Sequence, residues 1–152
     1  MIEHGISEAL KTIKENSGGP FGAVITDNAG NILSIASNTV LKHHDATAHA
    51  EINAIRLASR KLGTHNLEGC KLYTTCYPCP MCMGAIIWSN IKEMYYGCDS
   101  KDAANIGFRD DYIYNYIKEG CKNDNILKIT QVDRDKCIKL FEEYKKENKE
   151  IY

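Results

Sequence analysis

The sequence has almost no net charge, with 19 Lys and Arg against 20 Asp and Glu leaving a formal −1 over 152 residues. The sequence pI is about 6.5, so the bulk balance lacks the basic footprint of a nucleic-acid binder, and nucleic acid is not an expected partner. No apolar run approaches the ~20 residues of a membrane-spanning helix. Met1-Ile2-Glu3-His4 does not open a secretory leader. The expected compartment is therefore the cytoplasm. The seven cysteines are an odd number without a secretory context and read as reduced thiols. Only three prolines occur, and two of them, Pro78 and Pro80, bracket Cys79.

What is present centres on Tyr73 to Ser89, read with His49-Ala50-Glu51 upstream. Cys79 and Cys82 stand three apart, and His49 lies far enough back to arrive from another element, so three ligands can converge on one metal ion. Zinc suits one imidazole and two thiolates. Three protein ligands leave a fourth tetrahedral position open, the mark of a site that activates water. Glu51 supplies a carboxylate for the proton transfers. Pro80 suits a first helical position, so the cysteines open a helix running to about Ser89. Its dipole and free N–H groups favour thiolates.

Other readings of the same residues compete. Cys76-Tyr77-Pro78-Cys79 and Cys79-Pro80-Met81-Cys82 are both CxxC and could form a dithiol redox site, which leaves His49 and Glu51 unexplained. Cys76 as a fourth ligand would close the site and make it structural. His49 taken alone reads as a satisfied helix-end histidine. The joint pattern decides between them.

His49-Ala50-Glu51 followed by Pro78-Cys79-Pro80-Met81-Cys82 resembles the H-x-E…P-C-x-x-C signature of the cytidine deaminase superfamily. Gly19-Pro20-Phe21-Gly22-Ala23-Val24, Gly84-Ala85-Ile86-Ile87-Trp88 and Asp102-Ala103-Ala104-Asn105-Ile106-Gly107-Phe108 extend the resemblance to its guanine deaminase branch over nearly the whole chain. The family usually carries an acidic residue before the Pro-Cys pair, where this chain has Tyr77. The resemblance implies one zinc ion per chain on His49, Cys79 and Cys82, and Glu51 as the proton carrier. It implies base contacts from Asn38, Ala50, Phe21, Trp88 and an acidic residue after the fourth strand. Asp110 matches that acidic residue, with Asp111 one register away. It further implies a terminal tyrosine, Tyr152, closing over the pocket.

Along the chain, Ile6, Leu10 and Ile13 mark a packing helix over 6–15. Gly18-Gly19 breaks it, and Phe21 to Thr26 and Ile32 to Asn38 form a hairpin around Asp27-Asn28-Ala29-Gly30-Asn31. The double glycine reads as a turn; the resemblance implies that Gly19 to Gly22 border the active site, where backbone can approach a planar base. Asn38 by itself reads equally as a strand-ending polar residue. His43, His44 and Asp45 read as loop, with a second metal site the alternative, and Asp45 or Thr47 as the cap of a helix over 48–61. Strands follow at Lys71–Thr75, Ile91–Gly97 and Ile126–Gln131, with short helical pieces over 102–118 and a charged helix over Arg134–Glu147. Tyr112, Tyr114 and Tyr116 read as core or subunit contacts more readily than as a base-stacking surface.

The expected fold is α/β, a single domain over 1–152. It is a three-layer α/β/α sandwich of the cytidine deaminase kind, with a five-stranded mixed sheet: an antiparallel first pair and a parallel remainder. By composition the tail from about 145 to 152 reads as a frayed, charged terminus; the resemblance implies instead a lid, exchanged between subunits in a homodimer. The expected activity is zinc-dependent hydrolytic deamination of a nucleobase, guanine to xanthine and ammonia. Guanosine, cytosine and transfer-RNA adenosine are the alternative substrates, and a zinc-stabilised binding module is the alternative without turnover.

Overall fold

The computed structural model describes residues 1–152, and the chain divides into two compact units, Met1–Tyr114 and Asn115–Tyr152. The first unit opens with α1, Ile2–Glu15, which stops where Asn16 turns left-handed at φ 51°. Asparagine tolerates that conformation, and its N–H satisfies carbonyls of the last turn. β1 (Gly22–Thr26) and β2 (Ile32–Ser37) form the expected hairpin. Asp27 closes it by accepting the backbone N–H and the side-chain amide of Asn31, both at 2.8 Å. One turn of helix, α2 (Val40–His43), occupies part of the expected loop.

α3 runs Ala50–Leu62 and ends on Gly63 at φ 68°. Its N-cap is His49, not Asp45 or Thr47. Asp45 instead accepts the N–H and hydroxyl of Thr47 in a turn that precedes the helix. β3 (Lys71–Cys76), α4 (Pro80–Trp88) and β4 (Glu93–Cys98) follow. α5 (Ser100–Asn105) starts from a reciprocal capping box between Asp99 and Asp102. α6 is Asp111–Lys118 and α7 is Arg134–Lys146.

The sheet order is β2-β1-β3-β4. β1 runs antiparallel to both neighbours, whereas β3 and β4 are parallel. The expected parallel remainder therefore needs one correction. The crossover through α3 carries the chain past β1, so β2, β3 and β4 run one way and β1 alone opposes them. This places Asn38 after β2, the cysteine loop after β3, Asp99 after β4 and Phe21 before β1 at the same end of the sheet.

Side chains alternate between faces. Ala23, Ile25, Ala36 and Leu72 point into a core with Ala50, Ala54, Ala58 and Ile86 of α3 and α4. On the opposite face Gly22 meets Gly5 of α1. The result is the expected three-layer α/β/α sandwich.

The sheet has four strands, not five. Residues 126–131 carry no regular structure beyond a turn, and Leu127 and Ile129 are exposed. Their apolar pattern reads as a strand, but a strand exists only beside a neighbour that completes its hydrogen bonds. The second unit offers helices alone. Within it the Tyr116 hydroxyl lies 3.2 and 3.1 Å from the carbonyls of Cys121 and Leu127, and its one proton serves one of them at a time.

A Cβ on Gly22 would run into the carbonyl of Gly5. Gly22→Ala is expected to lower unfolding free energy by about 1–3 kcal/mol in urea titration. A loss well under ~1 kcal/mol would show that α1 is free to shift away.

Candidate active site

The metal cluster assembles from two helix starts. His49 and Cys79 are the N-caps of α3 and α4, both with extended backbone, and Pro80 fills the first position of α4 as expected. The Nδ1 of His49 lies 3.6 Å from Sγ of Cys79 and 3.6 Å from Sγ of Cys82. The three ligand atoms lie within 4.8 Å of one another. Zn–S bonds of ~2.3 Å and Zn–N bonds of ~2.0–2.1 Å at a tetrahedral angle require N···S separations of about 3.6 Å. These contacts are therefore the edges of a coordination tetrahedron, and the residues fit zinc.

Cys79 is pulled down to about 4 by its contact with the Cys82 thiol, by His49 and by the backbone N–H of Cys82, against the opposing effect of burial. The proton the two sulfurs share falls to Cys82, pushed up by that same contact, by burial and by Glu51. A zinc ion held by His49, Cys79 and Cys82 would take the place of this proton.

Cys76 does not join the cluster. Its Sγ lies 3.5 Å from the carbonyl of Asp99, and burial, with Cys98 nearby, pushes its thiol up to about 11. The fourth corner is therefore not closed by a cysteine, and a dithiol pairing with Cys79 has no support in this geometry. His43, His44 and Asp45 assemble no second metal group.

Glu51 projects from the first turn of α3 and is almost fully buried. Its Oε1 lies 3.1 Å from the hydroxyl of Thr74, and its Oε2 lies 3.5 Å from Sγ of Cys82. Burial raises its pKa above the ordinary carboxylate range. Such a group gives up and takes back a proton more readily near neutrality than an exposed glutamate does.

A cavity of about 620 Å³ opens onto these groups, with His49, Glu51 and Cys79 in its lining. Asn38, Phe21 and Asp110 line it too. The Oδ1 of Asn38 accepts the N–H of Gly19 at 3.1 Å and of Val40 at 3.2 Å. That occupies the acceptor end of the amide and leaves its NH₂ as the group for the cavity. A Cβ on Gly18 would overlap Asn38, so the first glycine of the pair makes room for this side chain.

The register question between the two aspartates has a physical answer. Asp111 is engaged by Arg109 in a two-pronged ion pair, Nη2–Oδ2 2.8 Å and Nε–Oδ1 3.2 Å. Asp110 lines the cavity, half-buried, and burial followed by the Cys79 charge raises its pKa.

Two expected contacts are not among the lining residues of this cavity. Trp88 is 75% exposed at the far end of α4, about 12 Å along the axis from Pro80, and does not line the cavity of its own chain. The Ala50 side chain is fully buried in the core, so it can meet a ligand only through its backbone. Tyr152 belongs to the second unit, where it lines a hollow with Leu140, Phe141 and Tyr144.

The structure adds residues that the sequence reading passed over. Thr74 holds Glu51; its signal was parity, since Leu72, Thr74 and Cys76 share the inward face of β3. Phe108 meets Phe21 edge-on at 5.0 Å in the cavity wall. The hydroxyl of Tyr114 donates to the carbonyl of Pro78 at 2.7 Å.

Comparison with known proteins identifies the family. The zinc-binding region of cytidine and deoxycytidylate deaminases matches residues 1–98. The chain belongs to this deaminase family. Guanine deaminase of Bacillus subtilis is 42% identical over 125 residues, 82% of this chain and 80% of that protein. A crystal structure of guanine deaminase from the same organism superposes with a TM-score of 0.90 at 37% identity, covering 99% of this chain and 95% of that one. A transfer-RNA-specific adenosine deaminase of Buchnera aphidicola is 36% identical over 132 residues, 86% of this chain and 83% of that protein. The deaminase is thus a zinc protein and a guanine deaminase homologue.

Purified deaminase is expected to carry one zinc per chain. By elemental analysis, Cys82→Ala should lose most of it and Cys76→Ser should keep it. Zinc lost on changing Cys76 would mean that the fourth corner is a sulfur after all.

Proposed function

We propose that this deaminase hydrolyses guanine to xanthine and ammonia, placing it in purine metabolism. The observation that carries the reading is the pairing of Asn38 and Asp110 on one cavity with the metal ligands: a neutral donor and an acidic acceptor. Guanine offers N7 and O6 as acceptors and its amino group as a donor, together with N1–H. Adenine has no N1–H to give Asp110. Arg109 is the one Lys or Arg among the lining residues, and Asp111 already pairs with it. That leaves no unpaired cation to grip a phosphate, which disfavours nucleotides and folded RNA as substrates. An acid–base carboxylate beside an open metal corner also disfavours a binding module without turnover.

Zinc on His49, Cys79 and Cys82 supplies the electrophile that makes a water acidic near neutral pH. Glu51 accepts the proton of that water as it attacks C2. It delivers the proton to the ring nitrogen beside C2, then carries a second proton to the departing amine. Thr74 keeps Oε1 of Glu51 fixed meanwhile. N–H groups at the start of α4 face the developing charge.

The working form proposed is a cytoplasmic homodimer in which residues 145–152 are exchanged and Tyr152 closes the partner's pocket. β4 is an edge strand with largely exposed side chains. Ile87 and Trp88 on α4, and Leu140 and Phe141 on α7, are at least 65% exposed. So much apolar surface supports a protein partner. All seven cysteines are free thiols, which suits a reducing compartment.

Ammonia release from guanine, guanosine, cytosine and adenosine-bearing RNA tests the substrate. Guanine is expected to react fastest, and an inert guanine beside a reactive RNA would overturn the assignment. Glu51→Gln should keep zinc and lose at least ~100-fold in kcat; an unchanged rate would remove Glu51 from the chemistry. Light scattering should give twice the chain mass, and deleting Lys149–Tyr152 should depress kcat/KM for guanine. Unchanged kinetics would dismiss the lid.

A further inference from the structure

Asp110 and Tyr114 belong to one turn of helix. The N–H groups of Ile113 and Tyr114 both donate to the Asp110 carbonyl, at 3.0 and 3.3 Å, so the carboxylate and the phenol move together. The Tyr114 hydroxyl reaches back 2.7 Å to the carbonyl of Pro78, the residue before metal ligand Cys79. The cysteine loop is itself fixed on both sides of that carbonyl. Tyr77 donates its N–H to Cys98 at the end of β4, and Cys79 accepts the N–H of Met83 in α4. Burial, with Tyr77, Asp110 and the cysteines nearby, pushes the Tyr114 phenol up to about 12, so it remains a donor at neutral pH.

Upstream of Asp110 the N–H groups of Gly107 and Phe108 close the end of α5 on the carbonyls of Ala104 and Ala103, both at 3.0 Å, so the chain is tied as far as Phe108. Gly107 sits at φ +99° with open space around its α-carbon, and Phe108 touches Phe21 through a ring edge. A rigid polar link to the metal loop follows Asp110, and a glycine precedes it.

We infer that Tyr114 is a positioning residue for substrate selection: its bond to Pro78 sets the separation between Asp110 and the metal loop. That separation decides which heterocycles can lay a donor edge on Asp110 while presenting the attacked carbon to the metal. The inference rests on the reading of Asp110 as the acceptor for the base. A carboxylate held on a loop alone would accept many ring sizes; one pinned to the metal loop accepts a narrow range. Tyr114 touches neither substrate nor metal in this role.

Tyr114→Phe removes one hydroxyl and keeps the ring. Zinc content and far-UV circular dichroism should match the unaltered protein, while KM for guanine rises and kcat/KM falls about tenfold, the scale of one lost hydrogen bond. The deciding measurement repeats the change in an Asp110→Asn background. There the loss should shrink to less than about twofold, because the group being positioned is gone. An equal fold-loss in both backgrounds would show that Tyr114 steadies the metal loop alone, and an unchanged KM in the single variant would show that it positions nothing. Either result overturns the inference with the role of Asp110 intact. If Asp110→Asn alone retains full kcat/KM on guanine, the reading of Asp110 fails, and the inference fails with it.

Discussion

The structure depends on the meeting of one imidazole and two sulfurs at the starts of two helices. His49 and Cys79 are N-caps 30 residues apart in sequence, yet Nδ1 and Sγ stand 3.6 Å apart. Neither cap makes a side-chain hydrogen bond of ordinary geometry to its own helix, although the Cys82 N–H acts on the Cys79 sulfur and favours its thiolate. An N-cap that keeps its side chain for a ligand gives up roughly 1 kcal/mol of helix stability. Metal binding more than offsets that loss, since structural affinities for zinc run to about 10 kcal/mol or more. The helix ends are thus left unfinished where the metal finishes them.

Glu51 carries a second cost. A carboxylate buried to this degree is unfavourable in its ionised form, and the protein answers it only in part, with the Glu51 backbone N–H, the Thr74 hydroxyl and the Cys82 thiol. A structural role would call for a neutral or apolar side chain there. A bound dication would offset that cost, and burial keeps Glu51 basic enough to take the proton of a water, which a solvated carboxylate of lower pKa does less readily. The buried charge and the open metal corner explain one another.

Much of this was legible in the sequence because it follows from local spacing. Cys79-x-x-Cys82 after a proline, and His49-x-Glu51 ahead of an apolar helix, fix which side chains share a helix end. Strand β3 and helix α4 came out within a residue of their expected limits for the same reason. Less legible were features that need a second element to exist. The pattern at Ile126 to Gln131 cannot state whether an edge lies beside it, and Trp88 looks like a pocket residue until the length of α4 carries it away. The direction of β1 against β3 depended on where the α3 crossover landed. Tyr114 was one tyrosine among three until its partner across 36 residues, Pro78, came into view.

Tyr77, where the family usually carries an acidic residue, takes its meaning from the same charge balance. Two thiolates, Glu51 and Asp110 already bring four negative groups around one dication, and the Cys79 charge raises both carboxylates. A further carboxylate before Pro78 would push both in the same direction. Tyr77 instead holds the loop by packing. Its ring meets Tyr96 of β4 edge-on at 5.1 Å, its N–H bonds Cys98 at 2.9 Å, and it lines the cavity. Aromatic contact with β4 and the phenol of Tyr114 together do with neutral groups what an acid would do with charge. The loop is held in place and Asp110 keeps its capacity to accept a hydrogen bond as an anion.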